Sequence, residues 1–136
     1  MLTIEGLSKS FGGVAAMNGV SLHFAEGSLT AVIGPNGAGK TTFFNLITGG
    51  FRPDAGRIML SGEDIAGLAA PEIVRRGIGR AFQIASIFPS LTVWEAVLGA
   101  VNAHQRWYAK LVRRFPLTQA KPRATEVMDL VGLGAR

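Results

Sequence analysis

The 136-residue sequence contains no cysteine, which excludes a disulfide framework and any cysteine-ligated metal site. That fits a reducing cytoplasm without requiring one. There is also no uninterrupted apolar run near the roughly 18 residues that a membrane-spanning helix needs, so none is expected. The amino terminus, MLTIEGLSKSF, carries an acid at Glu5 and lacks a long apolar stretch, so it does not read as a secretory signal. Charge is sparse at 17% against 48% hydrophobic residues, a globular composition rather than a disordered one. The length suits one domain with a modest core. No acidic residue occurs between Arg106 and Arg123, while Arg106, Lys110, Arg113, Arg114, Lys121 and Arg123 are basic. Such a stripe either faces nucleic acid or anionic headgroups, or is a solvated helical face beside a loop. No internal repeat or low-complexity tract is present.

What is there begins with strand patterns. Leu2, Ile4 and Leu7 open one apolar segment, and Val20 to Phe24 alternates as a half-buried strand does. Leu29 to Ile33 is short, apolar and partly β-branched, the pattern of a strand buried on both faces in a parallel sheet. A glycine-rich turn follows, then a helix over Lys40 to Thr48 with Phe43, Phe44, Leu46 and Ile47 for burial, closed by Gly49-Gly50. Arg52 to Gly56 is a turn, Arg57 to Leu60 a strand, Ser61-Gly62 a turn, and Pro71 opens a short helix to Arg76. Ile78 to Phe82 is a further candidate strand. Thr92 and Glu95 have the spacing of a capping box, and helical segments are expected to about Lys110 and from Thr118 to Val131, split near Pro116. The order is α/β with a helical appendage.

The chemistry sits in Gly34-Pro-Asn-Gly-Ala-Gly-Lys-Thr-Thr42, which satisfies G-x-x-x-x-G-K-[ST]. By residue frequencies, a chance match in a chain this long is roughly one in a few hundred, and a strand leading in and a helix leading out lower it further. Polyphosphate carries several negative charges, so successive backbone N–H groups must converge on it, which demands glycine at positions other residues disfavour. The start of the following helix adds unpaired N–H groups and a favourable dipole. Lys40 brings a full charge to the β- and γ-phosphates, and the Thr41 hydroxyl is a ligand of the kind magnesium takes. The motif therefore predicts binding of a nucleoside triphosphate with Mg²⁺, and it leaves the base and the reaction open. His23 and His104 lack a second ligand at metal spacing and read as structural. Trp94 and Trp107 read as core or interface residues.

On these residues and their surroundings, the chain resembles the amino-terminal part of ABC-transporter ATPases, especially the ATP-binding subunits of branched-chain amino acid importers. Lys9 to Gly13, Asn18 to Ser21 and the GPNGAGKTT form of the loop are similar to the family's opening. Thr48-Gly49, Pro53 to Gly56 and Gly62 match its next turns, and Gly77 to Gln83 resembles the segment ending in its Q-loop glutamine. Phe88 to Glu95 resembles the entry into its helical subdomain. The resemblance implies a P-loop NTPase fold with antiparallel strands at the amino end, an incomplete parallel core sheet and a helical subdomain. It places a partial nucleotide-binding core at 1–90 and the start of the helical subdomain at 91–136. It implies that Gly34, Asn36, Gly37, Ala38, Gly39, Lys40, Thr41 and Thr42 hold ATP, that Phe11 stacks on adenine, and that Gln83 meets magnesium and the attacking water. Phe11 has an alternative as a strand-end core residue.

The resemblance also implies transmembrane permease partners, a second ATP-binding subunit, no nucleic acid, and a cytoplasmic place at the membrane's inner face through the partner only. The family's pattern continues past Leu133 into a signature of the LSGGQ type, a strand ending in aspartate and glutamate, and a switch histidine, none of which stands in this sequence. In-line attack on the γ-phosphate needs a group that positions or activates water, so the expectation for this chain alone is ATP binding with negligible turnover. Two other readings share the motif: a non-transport ABC-type ATPase acting on nucleic acid or ribosomes, and a non-catalytic nucleotide-binding fragment.

Overall fold

The structure is a computed structural model that describes residues 1–81, 88–104 and 117–134. The chain forms two compact units, Met1–Ala81 and Phe82–Arg136. The first unit is built on a four-stranded antiparallel sheet of order β2-β1-β3-β4, with β1 at Leu2–Phe11, β2 at Val14–Phe24, β3 at Ala55–Leu60 and β4 at Glu63–Asp64. Strands β1 and β2 form a hairpin closed by Gly12-Gly13 between the paired residues Phe11 and Val14. Both glycines have positive φ, 52° and 85°, as a tight two-residue hairpin turn requires.

The β1–β2 ladder is irregular between Ile4 and Ser10, and serine side chains complete it there. Gly6 N donates to Ser21 Oγ at 2.9 Å, and Gly19 N donates to Ser8 Oγ at 2.9 Å. Backbone groups that the shifted register would leave unpaired thus find local acceptors.

Helix α1, Lys40–Ile47, buries Phe43, Leu46 and Ile47, an i, i+3, i+4 stripe. The stripe joins Ile4 and Leu7 of β1, Met17 of β2, Ile58 of β3, Ile65, and Ile73 of the short helix α2 (Ala70–Arg75) in one apolar core. Each large side chain removed from water there contributes about 2 kcal/mol, so this core holds the helix against the sheet. Pro71 lies in the first turn of α2, as the sequence predicts.

The second unit pairs helix α3, Val93–His104, with helix α4, Leu117–Leu130. Leu98, Val101, Ala120 and Ala124 form its core, with Trp94 and Val97 packed against it. The capping box is present: Thr92 N donates to Glu95 Oε2 at 2.8 Å, and Glu95 N donates to Thr92 Oγ1 at 3.2 Å. These bonds from Thr92 hold the Glu95 carboxyl below its ordinary range. Pro122 lies inside α4, within the helix expected from Thr118 to Val131. Among the described residues, no helix is long and apolar enough to cross a membrane.

Two strand expectations fail. Leu29 to Ile33 is not a strand: Leu29 is 102% exposed and Ile33 90%. A strand buried on both faces needs a ladder neighbour and two covering layers, and the four strands of this sheet pair only among themselves. The parallel core sheet is therefore absent among the described residues. Ile78 to Ala81 is likewise outside any strand, and Phe82 lies outside the described residues.

Candidate functional site

The loop that precedes α1 is shaped by its own backbone. Ala38 N donates to Pro35 O at 3.2 Å, and Phe43 N donates to Gly39 O at 2.8 Å as the first helical bond. Gly39 caps the helix with φ 84° and ψ 2°, a left-handed conformation, and no side chain bonds to the helix start. A β-carbon on Gly39 would lie 2.7 Å from Ala16 O of β2, so glycine is required by space as well as by φ. The first turn of α1 holds no acidic residue. Its N–H groups and the positive end of its dipole are left to an external anion.

Lys40 folds back over this loop. Its Nζ donates to Gly34 O at 2.6 Å and to Pro35 O at 2.7 Å. An ammonium has three donors, so two brace the loop and one remains for an anion placed at the helix start. Gly34, Asn36, Gly37, Ala38 and Thr41 are exposed, while Gly39, Lys40 and Thr42 are half-buried. The loop, a helix start and a lysine thus converge on one accessible point. That combination can hold a polyanion.

Phe11 ends β1 and is 42% exposed, so it is not an ordinary core residue. Its pairing with Val14 places it at the tip of the hairpin, two residues along β2 from Ala16, which abuts Gly39. Phe51 meets the Phe11 ring edge-on at a centroid distance of 5.1 Å, and Lys9 Nζ lies 5.5 Å from the Phe11 centroid. Lys9 is in turn paired with Asp54 Oδ1 at 2.6 Å.

Sequence reasoning reads Asp54 as a turn residue and does not single out Phe51 or Lys9. The only signal was the Pro53-to-Gly56 turn, and the turn alone does not say which strand end it touches. Gln83 lies outside the described residues, as do Trp107 and four of the six residues of the basic stripe. Of the remaining two, Arg123 is paired with Glu126 at 2.6 Å. His23 is exposed and bonded through Nδ1 to Thr3 Oγ1 at 3.0 Å, which agrees with a structural part. Among the described residues, no group of three or more His, Cys, Asp or Glu side chains could hold a metal ion.

A sheet-backed helix preceded by a GPNGAGKTT loop, with a lysine bracing that loop, defines a P-loop NTPase unit of the α/β class. Comparison with known proteins agrees and narrows the class. The chain belongs to the ABC transporter family, whose model matches residues 17–135. It is 45% identical over 104 residues to the high-affinity branched-chain amino acid transport ATP-binding protein BraF of Pseudomonas aeruginosa, covering 76% of this chain and 41% of that protein. It is 41% identical over 130 residues to the corresponding protein LivG of Salmonella typhimurium, covering 95% of this chain and 50% of the relative. The chain thus spans about half the length of the curated relatives it matches. Among solved structures, the ADP conformation of an ATP-binding cassette of an ABC transporter superposes with a TM-score of 0.79 at 30% identity, covering 98% of this chain and 54% of that one. A dimeric bacterial ABC transporter cassette gives a TM-score of 0.64 at 28% identity, covering 74% of this chain and 47% of that one.

Proposed function

We propose that this chain is the nucleotide-binding part of an ATP-binding subunit that energises import of branched-chain amino acids. The carrying observation is the loop itself: Gly39 is forced into the left-handed region against Ala16, α1 starts without a side-chain cap, and Lys40 closes over the loop. The names of BraF and LivG support the transport class and the substrate. Residues 1–90 serve as the partial nucleotide-binding core and 91–136 as the start of the helical subdomain.

In this reading, the backbone N–H groups of the loop from Gly34 to Thr42, Pro35 excepted, surround the β- and γ-phosphates, and Lys40 offers its third donor to phosphate oxygen. Asn36 and Ala38 contribute as members of that backbone wrap. Phe11 carries the adenine on its exposed ring. The exposed Thr41 hydroxyl would serve as one magnesium ligand. Magnesium supplies charge neutralisation at the transferring phosphate. Gln83 is assigned to the metal and the attacking water on the family resemblance.

A second ATP-binding subunit and a permease complete the working assembly, and the dimeric cassette among the solved relatives supports the first of these. The subunit then sits at the cytoplasmic face of the membrane through its permease, and nucleic acid is no part of its work.

The test is a thermal unfolding shift with Mg-ATP, run beside Lys40→Ala. Ligand at 100 times Kd stabilises by about 2.7 kcal/mol, on the order of 10 °C for a domain of this size. A shift in the parent and none in the variant supports the reading, and equal shifts refute it.

A further inference from the structure

The end of β1 is held on one side by β2 alone. Its ladder with β3 stops at Ser8, which faces Ala55, so Lys9, Ser10 and Phe11 run past the last regular rung. Asp54, the residue before β3, continues the ladder with its side chain. Its backbone N donates to Ser8 O at 3.0 Å, and its Oδ2 accepts the Ser10 N–H at 2.8 Å. The carboxylate thus stands where the carbonyl of one more β3 residue would be. Its other oxygen takes the Lys9 ammonium at 2.6 Å, and that ammonium lies 5.5 Å from the centre of the Phe11 ring. Phe51, three residues before Asp54, presses on the same ring.

We propose that Asp54 is a positioning residue for the nucleotide base, acting through Ser10 and Lys9 to fix the Phe11 ring as a stacking platform. The inference rests on the proposed binding of a nucleoside triphosphate, with Phe11 under the base. An exposed ion pair alone contributes little, because water screens it and two long side chains must be ordered. Here the carboxylate also holds a backbone N–H, and the chain segment it fixes is the one that carries the ring. Charge-assisted bonds of this kind are roughly twice as strong as neutral ones. The Asp54 carboxyl is held below its ordinary range, chiefly by the bond from Lys9 and then by the Ser10 N–H, as expected of a group serving as an ionised acceptor. A platform held in place in advance binds the base without first ordering its own strand end.

The partition between base and phosphate gives the test. Mg-ATP and magnesium tripolyphosphate share the phosphate chemistry, and only the first has a base. Affinities of both would be measured by calorimetry on the full chain, its Asp54→Ala, Asp54→Asn and Lys9→Met variants, and Phe11→Ala. Base stacking contributes on the order of tenfold or more in affinity. Phe11→Ala should therefore lose roughly tenfold for ATP and nothing for tripolyphosphate. Asp54→Ala should lose roughly three- to tenfold for ATP alone. Lys9→Met should lose less, and Asp54→Asn should recover part of the loss, since the amide oxygen still accepts the Ser10 N–H. Equal losses for both ligands in Asp54→Ala would make Asp54 a structural residue and overturn the inference while leaving the platform intact. An unchanged ATP-to-tripolyphosphate ratio in Phe11→Ala would overturn the platform and the inference with it. Absence of tripolyphosphate binding by the parent would overturn the phosphate cradle as well.

Discussion

Gly37 and Gly39 allow the phosphate loop's packing to be separated from its backbone conformation. Their φ angles are nearly the same, 85° and 84°, so an L-residue at either meets the same left-handed penalty of about 1–2 kcal/mol. The loss of chain entropy in the unfolded state on replacing glycine by alanine is also common to both. Their surroundings differ. A β-carbon at Gly37 meets nothing within 4 Å, whereas at Gly39 it would lie 2.7 Å from Ala16 O of β2. The neighbour there is a backbone oxygen of β2, which cannot swing aside as a flexible side chain does. Relieving that contact moves α1 or β2 against the packed core, and overpacking of this sort costs about 1–3 kcal/mol. Gly39→Ala should therefore be less stable than Gly37→Ala by about 1–3 kcal/mol, or about 5–15 °C for a unit of this size. Urea unfolding of the two variants without nucleotide measures the difference directly. Equal midpoints would show that the close approach of loop and hairpin is not rigid, and would remove the argument that Gly39 is required by space.

Two further predictions contrast buried with exposed positions and acid with neutral conditions. Leu46 is 1% exposed in the core and Leu29 is 102% exposed, so Leu46→Ala should cost about 2–5 kcal/mol and Leu29→Ala no more than about 0.5 kcal/mol; comparable losses in urea unfolding would contradict the burial described. For the capping box, the Glu95 carboxyl is held below its ordinary range by Thr92. Its stabilisation is fully present above about pH 4.3, the ordinary glutamate value, and is lost as pH falls through the lower folded value. Helical signal followed from pH 7 down to 2 should show this loss in the parent and a shallower one in Glu95→Gln, and identical profiles would remove Glu95 from the cap.

Several elements of both units were legible because their signals are local. The helix that starts at Lys40 and the Thr92–Glu95 box each depend on residues within a few positions of one another, and each is present, although Phe44, expected in the buried set of that helix, is 42% exposed. The phosphate loop is likewise one contiguous run. The surroundings of Phe11 were not legible, because they join residues about 40 positions apart. In the sequence, Asp54 reads as a turn residue and Lys9 only as the start of the Lys9-to-Gly13 run. Only the β1–β3 register, with Ser8 opposite Ala55, brings that carboxylate to the strand end.

Leu29 to Ile33 shows the limit of pattern reading in physical terms. A run of apolar and β-branched residues reports the environment a segment is suited to, two covered faces and a strand on each side. It does not supply that environment. Backbone N–H and C=O groups form a strand only where a second chain segment offers the complementary row, and the sheet of this unit has β2 and β4 at its edges, with nothing paired to 29–33. The phosphate loop keeps its shape nonetheless, because its supports lie elsewhere: Gly39 rests on Ala16, Lys40 ties back to Gly34 and Pro35, and α1 is seated by Phe43, Leu46 and Ile47. The loop's geometry is therefore set from the hairpin and helix side, and nucleotide affinity should depend more on Gly39 than on the apolar residues at 29–33.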